Sequence, residues 1–178
     1  MWTIQQAEYL RIPIIVAGDN NWTKENIDFI HCTKAIYMNR PDNLATDTAD
    51  SWDVVKWAVK AKTDVLMLQV TSPLRKIMDI REALDLFEET GKAVTSTCEG
   101  KPNGSIYVRK HEEMKTDDWI PYEMPPERSL DIDTMEDYRR AITSFPATGV
   151  STSQATAKKV LGPDAGRGGS FNSRGGVK

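Results

Sequence analysis

Apolar positions along the chain fall into two alternating rhythms. Residues 12–17 and 64–70 are short, nearly unbroken apolar runs closed by polar or glycine residues, the pattern of strands buried on both faces. Residues 34–38, 93–96 and 105–109 read as further short strands. Between them the apolar residues recur at helical spacing. Residues 2–11 predict a first helix, and 24–32 a short one with Ile27 and Ile30 inward. Residues 47–62 predict a stronger helix through Trp52, Val55, Ala58 and Val59, and 77–90 one that ends at Gly91. A last helix is expected over 134–143. Strands alternating with helices predict an α/β fold with a mainly parallel sheet covered on both faces. No internal repeat interrupts the series.

Composition changes this picture only at the end of the chain. Residues 145–178 hold five bases, one acid and seven of the eleven glycines, a charge of +4. The overall net charge of −3 therefore leaves −7 on residues 1–144. A segment so poor in large apolar side chains cannot offset its ordering entropy, so 1–144 is expected to be the folded domain and 145–178 a disordered, Gly-rich basic tail. The net charge points to no polyanionic partner, and nucleic acid is not expected beyond a weak contact through the tail. Cys32 and Cys98 stand far apart without metal-ligand spacing and read as reduced thiols. No apolar stretch is long enough to span a bilayer and no signal-peptide profile opens the chain, so a soluble cytoplasmic protein is expected.

Four blocks carry candidate chemistry. The run Leu68-Gln69-Val70-Thr71-Ser72-Pro73-Leu74-Arg75 lies where an apolar strand passes into a polar turn, the strand end at which open α/β sheets place ligands. Gln69 there can both donate and accept, as recognition of sugar hydroxyls requires, although an amide bonding the loop backbone explains it equally. Arg75 suits an acidic ligand, or a pair with Asp79 one helical turn on. The segment from Arg40 to Ser51 leads into the second long helix, whose N-terminus favours anions; alternatively Asp47 or Thr48 simply caps that helix. The block from Lys101 to Val108 combines a cation, an Asn103-Gly104 turn dipeptide and Tyr107. In the last, Asp131 and Asp133 at alternate positions can project to one side of an extended segment, as a Mg²⁺ site requires, while Asp133 with Glu136 also makes an ordinary capping box. His31 and His111 belong to no block, and Trp52 and Trp57 read as packing residues.

The run at 68–75 closely resembles the Leu-Gln-Pro-Thr-Ser-Pro-Leu-Arg signature of acylneuraminate cytidylyltransferases, the CMP-sialic acid synthetase family, with Val70 in place of the proline. The other blocks resemble family elements in the same order. Arg40-Pro41 with Leu44-Ala45, Asp47-Thr48-Ala49 and Ser51 is similar to one, Asn103-Gly104 with Ile106-Tyr107 to a second, and Asp131-Ile132-Asp133 with Asp137-Tyr138 to a third. Residues 1–7 are similar to the family's first-helix segment. The resemblance implies a Rossmann-like three-layer sandwich and transfer of CMP from CTP to a 2-keto sugar acid with release of pyrophosphate. It implies Arg40, the Ala49 backbone and Ser51 on the nucleotide, and Gln69, Lys101, Asn103 and Tyr107 on the sugar acid. Asp131 and Asp133 would then be catalytic and hold Mg²⁺.

Two family features find no match in this sequence. The first strand and its Gly-rich basic phosphate loop have no counterpart before Met1, although Arg167-Gly168-Gly169-Ser170 repeats that loop's core in the tail. The interval between Ser96 and Asn103 is also too short for the excursion that the family uses to dimerise, which puts the usual dimer in doubt. The alternative to an active enzyme is therefore a catalytically inactive remnant or a partner subunit lacking the triphosphate loop.

Overall fold

The computed structural model describes residues 2–19 and 21–144, within the first of the two units into which the chain divides, Met1–Phe145. The expectation of a tail over 145–178 lies outside the described residues. The order of elements is α1 (Trp2–Tyr9), β1 (Ile14–Gly18), α2 (Lys24–His31), β2 (Ala35–Asn39), α3 (Ser51–Ala58), β3 (Val65–Leu68) and α4 (Ile77–Thr90). It continues through β4 (Ala93–Cys98), β5 (Lys101–Arg109), β6 (Trp119–Glu123) and α5 (Met135–Ser144).

The chain adopts the α/β fold that its alternating pattern predicts. β1 and β2 pair in parallel, Ile14 opposite Ala35 through Gly18 opposite Asn39. The other strands form a sheet in the order β3-β5-β4-β6. β5 runs antiparallel to both β3 and β4, while β4 and β6 are parallel, so β5 alone opposes its sheet's direction. The strands thus lie in two sheets. No strand among the described residues carries the ladder from β1 across to β3.

Helices lie on both faces. α4 presents Ile80, Ala83 and Phe87 to Val94, Ile106, Val108 and Met124, which together form the buried core. Burying a side chain of that size contributes roughly 1.5–3 kcal/mol, so α4 is the main apolar anchor of the larger sheet. Gly91 closes the helix in the left-handed conformation, φ 63°, as its position predicts. On the opposite face of β5, Trp52 of α3 meets the ring of Tyr107 edge-on, centroids 5.8 Å apart.

Several boundaries differ from expectation. α3 begins at Ser51 because Asp50 caps it, accepting from the Trp52 N–H at 2.7 Å, and neither Asp47 nor Thr48 is the cap. It ends at Ala58 because Val59 is already extended. β5 begins at Lys101, four residues before the expected start, and β6 was not expected at all. Among the described residues no helix is long and apolar enough to cross a membrane. Cys32 and Cys98 are both free.

Candidate functional site

The turn after β3 is built around Arg75, which is completely buried. Its Nη1 donates to the carbonyls of Gln69 (2.7 Å), Ser72 (2.8 Å) and Ser105 (3.2 Å), and its Nη2 to Thr3 Oγ1 at 2.9 Å. Gln6 Nε2 donates in turn to the Arg75 carbonyl, at 2.5 Å. Burial lowers the Arg75 pKa to about 10, opposed in part by the charge of Asp79. Neither expectation for this residue holds. Arg75 is closed to an acidic ligand and forms no ion pair with Asp79; it is a clamp that curls residues 69–75 and binds them to α1 and β5.

Asp79, in the first turn of α4, serves a different partner. It accepts from both Nε and Nη2 of Arg128 at 2.8–3.1 Å, from the Lys76 N–H at 2.6 Å and from the Tyr122 hydroxyl at 3.2 Å. That pair holds the segment leading to Asp131. The same segment is stitched down twice more, by the Ile132 N–H to the Thr71 carbonyl at 2.9 Å and by Ser72 Oγ to Asp131 Oδ1 at 3.2 Å.

The clamp and these ties converge on Gly104. Its φ is +73°, a conformation that glycine adopts without steric cost, and it lies inside β5. A Cβ there would stand 3.1 Å from Gln69 Oε1 and 3.2 Å from Asp131 Oδ2. Two of the residues singled out from sequence, Gln69 and Asp131, therefore meet over one glycine at the carboxyl end of β3. Asp131 Oδ1 also accepts from the Ile132 N–H, and Oδ2 is the carboxylate oxygen that lies over Gly104.

Asp133 is exposed. The capping box of α5 is formed one residue later than expected: Thr134 Oγ1 accepts from the Asp137 N–H at 3.2 Å, and Asp137 Oδ2 accepts from the Thr134 N–H at 3.0 Å. That displaces the Asp133–Glu136 box and leaves the Asp133 carboxylate uncommitted to the cap. Among the described residues no three acidic, histidine or cysteine side chains gather as a metal-ligand set. A hydrated Mg²⁺ ordinarily takes only one or two carboxylates besides phosphate and water. Asp131 and the exposed Asp133 are carboxylates of that chemistry.

Tyr107 extends the site along β5. Burial is the main cause that raises the pKa of its phenol, with Arg109 opposing and the Asp131 carboxylate reinforcing the rise. Asp131 is thus electrostatically close to Tyr107. The ring also meets Trp52, the residue after Ser51, and Arg109 stacks over both rings. A cleft of about 330 Å³ opens here, bounded in part by Asp50, Trp52, Tyr107, Arg109 and Lys115. Lys115 bridges Asp50 (3.2 Å) and Asp53 (2.8 Å), fixing the loop before β6 to the start of α3. Lys115 and Arg109 carry no signal in the sequence that would have marked them, because the loop and strand contacts that give them meaning are long-range.

The remaining candidates are placed differently. Asn103 accepts from Ser96 Oγ at 2.6 Å and donates to Ser129 Oγ at 3.0 Å, so its amide joins β4 to the Asp131 segment. Arg40 bonds the Gly18 carbonyl (3.3 Å), the Leu44 carbonyl (3.1 Å) and Asp19 (3.3 Å), at the carboxyl end of β1. The Ala49 N–H is donated to Thr46. Ser51 is exposed at the first turn of α3. Lys101 is exposed opposite Cys98, after a two-residue hairpin of Glu99 (φ 52°) and Gly100 (φ 74°).

No family model matches the chain. Curated proteins similar to it include the N-acylneuraminate cytidylyltransferase of Escherichia coli O18:K1:H7 (strain RS218 / NMEC), 30% identical over 154 residues that cover 61% of this chain and 37% of the relative. The protein of the same name from Streptococcus agalactiae serotype III (strain NEM316) is 27% identical over 153 residues, with the same coverage. The chain spans 37% of the length of these relatives, and its similarity is to proteins named as cytidylyltransferases.

Proposed function

We propose that this chain is a nucleotidyltransferase domain that transfers CMP from CTP to a 2-keto sugar acid and releases pyrophosphate. The observation that carries the reading is the meeting of Gln69, Gly104 and Asp131 at the carboxyl end of β3, in a chain similar to proteins of that name. In this reading the anomeric hydroxyl attacks the α-phosphorus in line, an O–P bond forms, the bond to the bridging oxygen breaks and pyrophosphate leaves. The chemistry depends on positioning and charge neutralisation and needs no covalent intermediate.

Gln69 holds a sugar hydroxyl or carboxylate, and the backbone at Gly104 lets the sugar ring approach. Tyr107 lines the pocket, with Asn103 fixing the strand behind it and Lys101 at its margin. Asp131 Oδ2 stands to receive the proton of the attacking hydroxyl. Arg40, the Ala49 segment and Ser51 serve the cytidine side. Asp133, with Asp131 beside it, would hold Mg²⁺, which would supply neutralisation of phosphate charge when bound. The short Glu99-Gly100 turn favours a protein without the usual family dimer.

Thermal melting with and without CTP and Mg²⁺, repeated on Asp133→Ala, tests the reading. CTP at a hundredfold excess over its Kd should add about 2.7 kcal/mol, or roughly 5–11 °C for a domain of this size. A rise that requires both Mg²⁺ and Asp133 supports it. A cooperative melt that CTP does not move refutes it and leaves the second reading, an inactive remnant or partner subunit, which the break between the two sheets favours.

A further inference from the structure

Arg109 is a buried cation that the nucleotide chemistry leaves unused. It is 3% exposed and ends β5 opposite Val65, at the far end of β3 from Gln69. Its Nη1 donates to the carbonyls of Val94 (2.5 Å) and Val108 (3.0 Å), and its Nη2 to Thr95 Oγ1 at 2.5 Å. Among the described residues Nε has no acceptor, and every acceptor the guanidinium does have is neutral. A charge taken out of water without a counter-ion is unfavourable. Burial accordingly lowers the Arg109 pKa, with Tyr107 opposing. Arg75, the other fully buried guanidinium, is closed in by the turn that it clamps. Arg109 instead borders open space.

That space is the cleft of about 330 Å³, at the small end of the range of ligand pockets, about 300–1,000 Å³. Trp52 enters its wall from α3, Tyr107 from β5 and Trp119 from β6. The Arg109 guanidinium stacks over the first two rings, 5.4 and 5.7 Å from their centroids. The other charges at the cleft are accounted for. Lys115 is held by Asp50 and Asp53, and Asp117 is exposed, where water screens it. The buried guanidinium acts through a lower dielectric and so dominates the interior of the cleft.

We propose that this cleft is a second binding site, for a small aromatic carboxylate whose ring lies among Trp52, Tyr107 and Trp119 and whose charge is held by Arg109. Nε and Nη2 flank one edge of the guanidinium, the edge that grips a carboxylate with two parallel bonds. On that edge Nε is without an acceptor among the described residues and Nη2 has only the Thr95 hydroxyl, a weaker acceptor than a carboxylate. Thr95 also lines the cleft, so an incoming carboxylate takes its place on Nη2 and supplies Nε as well. The aromatic walls select a flat apolar body over a bare inorganic anion. The cleft meets the Gln69–Asp131 opening only through Tyr107, and the inference stands apart from the nucleotide reading.

The test is NMR titration of the ¹⁵N-labelled full chain, without CTP or Mg²⁺, reading the Arg109 Nε–H and the indole N–H signals of Trp52 and Trp119. The probes are benzoate, acetate, which has the charge without the ring, and benzyl alcohol, which has the ring without the charge. Benzoate should shift all three signals together and bind about tenfold or more tighter than either control. Trp119→Leu should weaken benzoate about threefold or more and leave acetate unchanged. Arg109→Met should make benzoate no better than benzyl alcohol; if that variant does not fold, the parent signals and Trp119→Leu decide. Benzyl alcohol binding as tightly as benzoate, an Arg109 signal that benzoate does not move by about 20 mM, or benzoate binding indifferent to Trp119→Leu would overturn the proposal. None of these outcomes bears on the response to CTP, which the melting experiment reads by itself.

Discussion

Removing the Asp79 carboxylate should be among the most damaging single changes in this domain. The side chain is 1% exposed and accepts two-pronged bonds from Arg128 as well as bonds from the Lys76 N–H and the Tyr122 hydroxyl. Breaking a buried, hydrogen-bonded charge pair by deleting one partner costs about 3–5 kcal/mol. Asp79→Ala should therefore lower Tm by about 6–20 °C for a domain of this size. Arg128 is 25% exposed and its pKa is raised chiefly by its bond to Asp79. Arg128→Ala should cost less, about 2–3 kcal/mol, because water can reach part of the space it vacates. Urea denaturation of both single variants and the double variant gives the coupling, expected at about 2 kcal/mol. A coupling below about 0.5 kcal/mol would refute the reasoning and make the pair no more than a surface contact.

Other changes follow from single contacts. Gly104→Ala should cost about 1–2 kcal/mol for the left-handed backbone and, through contact with Gln69 and Asp131, should lose more of the CTP-and-Mg²⁺ stabilisation than of the intrinsic melt. Arg75→Lys should lower the urea midpoint nearly as far as Arg75→Met, since an ammonium cannot span three carbonyls and Thr3. Asp50 has its carboxyl held below the usual value, first by the Trp52 N–H and then by Lys115. Its contribution is therefore complete above the unfolded carboxylate pKa near about 4 and is lost as pH falls through the lower folded value. Asp50→Asn should be less stable at neutral pH and show a shallower loss of Tm below about pH 4 than the parent chain.

What the sequence made legible was local. β1, β3 and α4 follow from runs and spacings that a reader can see, and so does the glycine stop at Gly91. β6 was hidden because Pro121 lies inside it; the strand tolerates proline because it is at the end of the sheet. Asn103-Gly104 looked like a turn and proved to be strand, with the positive φ at Gly104 absorbed next to a register shift between β4 and β5. Gln69 and Asp131 could be named in advance, but their meeting could not, because it depends on a buried arginine held by Thr3, 72 residues away. Val70 shows the reverse. The one departure from the signature run is 70% exposed, so that position makes little demand on its side chain.

The hairpin between β4 and β5 has a practical consequence. With both central residues at positive φ, Glu99 and Gly100 form a tight turn whose twist matches the strands it joins, and both residues are exposed. Chain closure grows costly only slowly with length, about 0.6 kcal/mol for each doubling of a flexible loop. This turn is therefore a splice point, where an affinity peptide or a reporter loop can be inserted and read out without redrawing the strands on either side.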